Sequence, residues 1–443
     1  MSTTVLFVGV VVFAFVAGRL IDRFAARLLR FSGMEYLALG IALGPMSPIG
    51  PLNEETLAAL DLFVSTVLGV IGFLVGLGAK RGRGGTEFTL AGLAAAAGVV
   101  VSVGLLLTGV LQVLDPGLLE LEPLIAEPVQ VSGDRLISFW LSPGALWGGV
   151  TIGAAAAACS ASLMDVAIDR FKVSPKRTRL LRTMASSAQL VAAFAFGMAM
   201  AGHRAAEASA GLGLKLTEWS VITIAAGVLT GLLFSVFIGR EDDPMRMLVA
   251  TLGVVVFAAG VGAGLGVSPL FVNVIAGLTV AYTSQHAPRL HRALEPIRFP
   301  TTVLILLLAG ATWVPASSAA VWLVVPVYAI ARVLLRRIFT RLAVTTFVNE
   351  GSLGVGLGRG MLGQGVLAAA IAVAFTQRFP DLSPTVGTII LGGLVISDVL
   401  AMRALRRYLA DVGEIQVENH AQPEPTPEPT TPTGPSPSES HHP

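Results

Sequence analysis

Charge is what this chain of 443 residues has least of: Asp, Glu, Lys and Arg make up 13% of it, against roughly 25% in an ordinary soluble domain. With 54% hydrophobic residues and a mean hydropathy of +0.76, that scarcity excludes a soluble globular protein. Cysteine is nearly absent, and the single Cys159 excludes an intramolecular disulfide or a cysteine-built metal site. Neither charge sign dominates, since the formal net charge is +2. The basic residues lie mostly in short stretches between apolar runs, where they report membrane orientation and not a nucleic-acid surface. No nucleophile elbow, HExxH or phosphate loop is present, so neither an enzyme nor a cofactor is expected.

What the chain does have is apolar runs of about membrane-span length. They are Thr4–Gly18, Met34–Gly50, Leu57–Gly78, Phe88–Leu114, Pro143–Met164, Leu180–Ala201 and Trp219–Ile238. The remainder are Met247–Gly262, Pro269–Tyr282, Pro300–Val314, Ala319–Leu335, Leu353–Phe375 and Thr385–Leu405, for about 13 transmembrane helices in an all-α polytopic membrane protein. No Lys or Arg precedes the first run, and Arg19, Arg23, Arg27 and Arg30 follow it, which is the flank of an inserted helix rather than of a cleaved signal.

Alternate loops are rich and poor in basic residues. Arg19–Arg30, Lys80–Arg83, Arg170–Arg182, Arg240–Arg246, Arg289–Arg298, Arg336–Arg341 and Arg403–Arg407 hold 24 of the 30 Lys and Arg residues. The pattern predicts a multi-pass membrane protein with its N-terminus outside and its C-terminus in the cytoplasm. Residues 410–443 are rich in Pro, Thr, Ser and Glu and read as a disordered cytoplasmic tail behind a transmembrane domain of residues 1–409.

Two segments differ from the rest. The fifth is dominated by small residues and carries Cys159, Ser160 and Ser162 within its apolar stretch, and the twelfth carries seven glycines from Gly351 to Gly365 with Arg359 among them. Glycine weakens a helix by about 1 kcal/mol relative to alanine, so both are candidate breaks. They occupy corresponding places in segments one to six and eight to thirteen, the signature of two inverted repeats with a pair of discontinuous helices. The repeats would span about residues 4–202 and 247–409, joined by a linking helix at about 219–238. Close helix packing by small residues is the competing reading.

Ionisable residues at membrane depth are few: Arg332, Arg359 and Asp398. An Arg332 or Arg359 pair with Asp398 would neutralise charge with no role in transport, whereas an unpaired charge at that depth is costly enough to mark function. Asp165 and Asp169, one turn apart, read as ion-paired residues of the membrane interface. Ser186 and Gln189 share a face of the sixth segment, with Thr183 and Ser187 nearby, and helix-to-helix hydrogen bonding is their simplest use. His203, His286 and His291 lie near loops and read as solvated. Gly358 to Gly363 matches G-x-G-x-x-G but follows no strand, so no dinucleotide site is expected.

Three stretches together resemble the monovalent cation:proton antiporters of the sodium/hydrogen exchanger fold. Glu35 to Pro45 (EYLALGIALGP) is similar to the second helix of that family, Ser268 to Gly277 (SPLFVNVIAG) to its SPLLAxFxAG stretch, and Leu362 to Ala370 (LGQGVLAAA) to its LxPQGGxALA stretch. The resemblance implies crossed broken helices, a core that slides against a dimerisation domain in alternating access, a monovalent cation and a proton as substrates, and a homodimer in the plasma membrane of a prokaryote. It also implies a departure. The family's Asp or Asn-Asp pair after the first broken helix is replaced here by Ala185-Ser186-Ser187-Ala188-Gln189, and a neutral amide releases no proton near pH 7.

Ser160, Ser186, Ser187, Gln189, Arg332, Gln364 and Asp398 are therefore the candidate ion-binding or coupling residues, with no catalytic residue and no metal site. Three readings follow: a sodium or potassium:proton antiporter with its coupling group relocated, an antiporter-like membrane protein that has lost coupling and acts as a sensor or partner, and a carrier of a small organic anion.

Overall fold

The computed structural model describes residues 33–47, 50–79, 85–114, 143–207, 215–238, 243–348 and 356–414. The expected first span, Thr4–Gly18, and the tail from residue 415 lie outside the described residues. Every regular element among the described residues is helical. They are α1 (Met34–Leu43), α2 (Glu54–Ala59), α3 (Asp61–Gly78), α4 (Thr86–Leu114), α5 (Pro143–Ala157), α6 (Ala161–Phe171), α7 (Pro175–Glu207) and α8 (Leu216–Ile238). They continue as α9 (Pro244–Leu265), α10 (Pro269–Thr283), α11 (Ala287–Ala311), α12 (Ala319–Phe347), α13 (Leu357–Gly360), α14 (Val366–Arg378) and α15 (Ser383–Asp411). Nine stretches among the described residues are long and apolar enough to span a bilayer, with α5 and α6 counting as one, and α1, α10 and α14 are shorter apolar helices. The chain is a multi-pass membrane protein.

Several boundaries differ from the apolar runs, for local reasons. The second run stops at Leu43 because Gly44-Pro45 cannot continue it. Asn53 then starts a new helix by accepting from Thr56 N at 2.8 Å. The Arg289–Arg298 and Arg336–Arg341 stretches are not loops: α11 starts at Ala287 and α12 runs to Phe347, so these arginines ride on helix ends. Arg336, counted above with a loop, is 1% exposed.

The helices sort into two bundles by their packing. One holds α4 to α7 and α12 to α15, and the other holds α1 to α3 and α8 to α11. Within the second, α3 and α10 approach backbone to backbone: a Cβ built on Gly76 would lie 2.1 Å from Val274 O, and one on Gly277 would lie 2.3 Å from Phe73 O. Between the bundles the main packing is of α11 on α14 and of α7 on α8. The end of the molecule carrying Arg170–Arg182, Arg289–Arg298, Arg336–Arg341 and Arg403–Arg407 is the basic end.

Candidate functional site

Both expected breaks are present, and they meet. The chain leaves α5 after Ala157 and re-enters a helix at Ala161, and it leaves α13 after Gly360 and re-enters at Val366. Ser160 N donates to Gly363 O at 2.9 Å, closing one break onto the other. Ser160 Oγ caps α6 by accepting from Leu163 N at 3.2 Å. Gly365 takes φ 69°, and a Cβ there would sit 2.7 Å from the Ser160 side chain, so only glycine fits this crossing.

A helix that stops inside the bilayer leaves orphan carbonyls at one end and orphan N–H groups at the other. The carbonyls of α5 are served by α12. Arg332 donates from Nε to Ala156 O at 2.9 Å, from Nη2 to Ala158 O at 3.1 Å, and from Nη1 to Leu362 O of the other break. One turn on, Arg336 Nη2 donates to Ala157 O at 2.7 Å and Ala158 O at 3.1 Å. The N-terminus of α14 is served by α15: Asp398 Oδ1 accepts from Gln364 N at 2.8 Å, and the Gly365 backbone also donates to this carboxylate. Gln364 itself is buried, its Nε2 donating to Ala155 O at 3.0 Å and to the Tyr328 hydroxyl, while its Oε1 has no partner among the described residues.

This corrects the charge-pairing reading. Arg332 is turned onto backbone carbonyls and makes no ion pair with Asp398 among the described residues. Arg359 instead meets Asp411 at 3.3 Å. The physical reason is geometric competition: three carbonyls at the two helix ends offer the planar guanidinium more acceptors than one carboxylate already held by N–H groups.

A cavity of about 960 Å³ runs from the basic end down to Asp398, Ser160 and Gly365. Its walls carry Glu35, Asp165, Asp169 and Glu295, with Arg182 and Arg298. Asp165 on α6 pairs with Arg182 Nε at 2.7 Å and with Arg298 Nη1 at 3.6 Å, so the ion-paired reading of Asp165 agrees with the geometry. Arg298 belongs to the other bundle, and the Asp165 contact crosses between the two. A smaller cavity of about 80 Å³ adjoins it and is lined by Ser160, Ser186 and Gln189 among others. Ser187 is not part of either lining: it is buried against α4, where a Cβ on Gly92 would lie 2.8 Å from its own Cβ. At the opposite end the bundles are joined by Gln377 Nε2 donating to Asp61 Oδ1 at 2.7 Å, and by Trp313 Nε1 donating to Thr388 Oγ1 at 3.1 Å.

Two further expectations change. His203 is fully buried, its ring 4.1 Å from that of Phe379 and 5.8 Å from that of Phe375, because α7 continues to Glu207 and carries it inside. His291 faces Glu295 at 3.7 Å and lines the smaller cavity, leaving only His286 at a helix start as a turn residue. Tyr328, Arg336 and Glu35 were not among the candidates. A signal for the first two was available: Tyr328, Arg332, Arg336 and Thr340 recur every four residues and form one buried polar face of α12.

No protein-family model and no curated protein matches the sequence. Among solved structures, the sodium proton antiporter MjNhaP1 from Methanocaldococcus jannaschii at pH 8 matches with a TM-score of 0.62 at 16% identity, over 93% of this chain and all of that one. A structure of the same antiporter from an electron-microscopy map matches with a TM-score of 0.53 at 16% identity, over 95% of this chain and 99% of that one. At this identity the likeness is one of fold, and it extends over nearly the whole length of both chains.

Proposed function

We propose that this protein is a monovalent cation:proton antiporter, for sodium or potassium, that works by alternating access with Asp398 as its exchanging group. One observation carries this reading. Asp398 is a carboxylate without an ion-pair partner among the described residues, it sits where two broken helices cross, and a water-accessible cavity leads to it. A single carboxylate that binds either a proton or a cation, never both, couples the two flows by competition. Ser160 Oγ, across Gly365 from Asp398, and the unpartnered Gln364 Oε1 supply neutral oxygens of the kind that replace water around an alkali cation. Gln189, at the place where the related antiporters carry a carboxylate, lines the smaller cavity as a neutral wall.

The organic-anion reading is weakened by the same geometry. Half-helix N-termini attract anions, but here both are filled from within, one by Asp398 and the other by Ser160 Oγ. The likeness to a sodium proton antiporter supports cations over anions. Loop charges favour a cytoplasmic basic end, so the cavity described here is the inward-facing one.

The test is proton movement in proteoliposomes loaded with a pH-sensitive dye, on addition of sodium, potassium or lithium, for the native chain and Asp398→Asn. Cation-dependent proton flux that vanishes in the variant is the expected result. Equal flux in both removes Asp398 from the mechanism, and flux from neither sinks the antiporter reading.

A further inference from the structure

At the basic end, α13 lies between α12 and α15. A Cβ on Gly358 would fall 2.7 Å from the Cα of Arg337, and one on Gly360 would fall 3.0 Å from the Tyr408 ring. Arg359 on α13 reaches Asp411 on α15. Asp411 is in line with Arg407 and Arg403, since these recur every four residues along α15. Arg337 and Arg341 form a similar line on α12. Arg337, Arg341, Arg403, Arg406 and Arg407 are all exposed, and none has a hydrogen bond or ion pair among the described residues. Of the two carboxylates on these three elements, Asp398 is held at the crossing by the Gln364 N–H and Asp411 is already taken by Arg359.

Exposed aliphatic side chains fix the depth of this patch. On α12, Leu334, Ile338 and Leu342 are 51%, 56% and 57% exposed and alternate with Arg337 and Arg341. On α15, Val399 and Leu400 are exposed one turn before Arg403. Aliphatic residues exposed on a spanning helix face hydrocarbon, and arginines interleaved with them have their guanidinium groups at the level of the lipid phosphates. The guanidinium fork fits a phosphate diester oxygen pair, and five unneutralised forks on adjacent elements fit an anionic headgroup better than a zwitterionic one.

We infer that the arginine patch formed by α12, α13 and α15 at the basic end is a binding site for the headgroup of an anionic phospholipid. The same two long helices carry Arg332 and Arg336 on one side and Asp398 on the other, so a lipid bound across them steadies the geometry of the crossing. The chain's own residues 415–443 are the other source of negative charge, with Glu418, Glu424, Glu428 and Glu439 and no Lys or Arg. Arginines set among lipid-facing aliphatic residues favour the lipid over this polar segment.

The experiment is native mass spectrometry of the full chain in detergent titrated with phosphatidylglycerol, and with phosphatidylcholine as the comparison. It does not depend on transport, so its outcome is independent of the antiporter reading. Native protein should retain phosphatidylglycerol over phosphatidylcholine. Replacing Arg337, Arg341, Arg403 and Arg407 by Gln should lower the apparent affinity for phosphatidylglycerol at least about tenfold, a low figure for four arginines that each strengthen such binding about fivefold. The matching Lys variant should keep most of the retention, which separates loss of charge from loss of fold. Unchanged retention in the Gln variant overturns the proposal. So does displacement of the lipid by millimolar inorganic phosphate, which would assign the patch to a soluble anion. Converting the four tail glutamates to Gln should leave retention unchanged, and a marked rise would assign the patch to the tail instead.

Discussion

The backbone N–H of Gln364 donates to Asp398 Oδ1 at 2.8 Å, so the one carboxylate at the crossing is held by the main chain of the second broken helix and not by a basic side chain. This separates holding from exchanging. Asp398→Asn retains an oxygen that accepts from the same N–H, so the fold should survive, while the proton-exchanging group is gone. Cation-dependent proton flux should fall at least about a hundredfold, within the range by which loss of a proton-transferring group slows a reaction. Gln364→Ala leaves the N–H in place and should reduce flux without abolishing it. A dye assay in proteoliposomes with both variants checks the order, and equal loss in the two would contradict it.

Arg332 satisfies carbonyls on both breaks at once, which makes it a structural residue first. Arg332→Leu leaves the carbonyls of Ala156 and Leu362 without a donor in a dry interior, where each orphaned polar group costs about 1 to 3 kcal/mol. The variant is expected to lose about 3 kcal/mol or more of stability, read as a lower midpoint in thermal unfolding in detergent. Arg332→Lys should recover part of the loss, because an ammonium has three donors but cannot span the two breaks as a planar fork does.

The breaks themselves were legible in the sequence as the small-residue and glycine-rich stretches of two apolar runs, with close helix packing as the competing reading. The role of Arg332 was not. Charge spacing along the chain suggested a carboxylate partner, and nothing in a linear sequence shows that the open ends of two broken helices come within reach of one side chain. Ser186 and Ser187 show the same limit at finer scale. They are neighbours in sequence, yet one lines a cavity and the other packs on α4, since successive helical residues lie about 100° apart. His203 failed for a different reason: the run of apolar residues ended before it, but α7 went on for another turn and buried it.

Asp165 and Arg298 link the two bundles at the basic end at 3.6 Å, while Gln377 and Asp61 link them at the other end at 2.7 Å. The cavity reaches the basic end, which assigns the second link to the closed gate of this state. Gln377→Ala removes hydrogen bonds present in this state and should shift the population toward the opposite one by about fivefold, for about 1 kcal/mol of lost hydrogen bonding. A cysteine at Ser162, in a Cys159→Ser background, reports the shift. Its labelling by a membrane-impermeant reagent from the basic end should slow in the Gln377→Ala variant, and unchanged labelling would show that this contact does not hold the gate.

Glu414 ends the described chain by closing onto the turn before α7: it accepts from Ser174 N at 2.9 Å, from Ser174 Oγ at 2.6 Å, and pairs with Arg177 Nε at 3.1 Å. Partial burial pushes its carboxyl up, but the two Ser174 hydrogen bonds and the Arg177 charge outweigh it and hold the group below its usual value of 4.5. A carboxyl whose value is lower folded than unfolded stabilises the fold above the unfolded value, and that stabilisation is lost as pH falls through the folded one. The clamp should therefore be fully present at pH 7, begin to weaken near pH 4.5 and be lost as pH falls through the lower folded value. Glu414→Gln lacks the charge at every pH, so the gap in thermal midpoint between native protein and variant should be widest near neutrality and close on acidification. A gap that stays constant from pH 7 to pH 4 would mean that the carboxylate charge contributes nothing to tying the end of α15 to the start of α7.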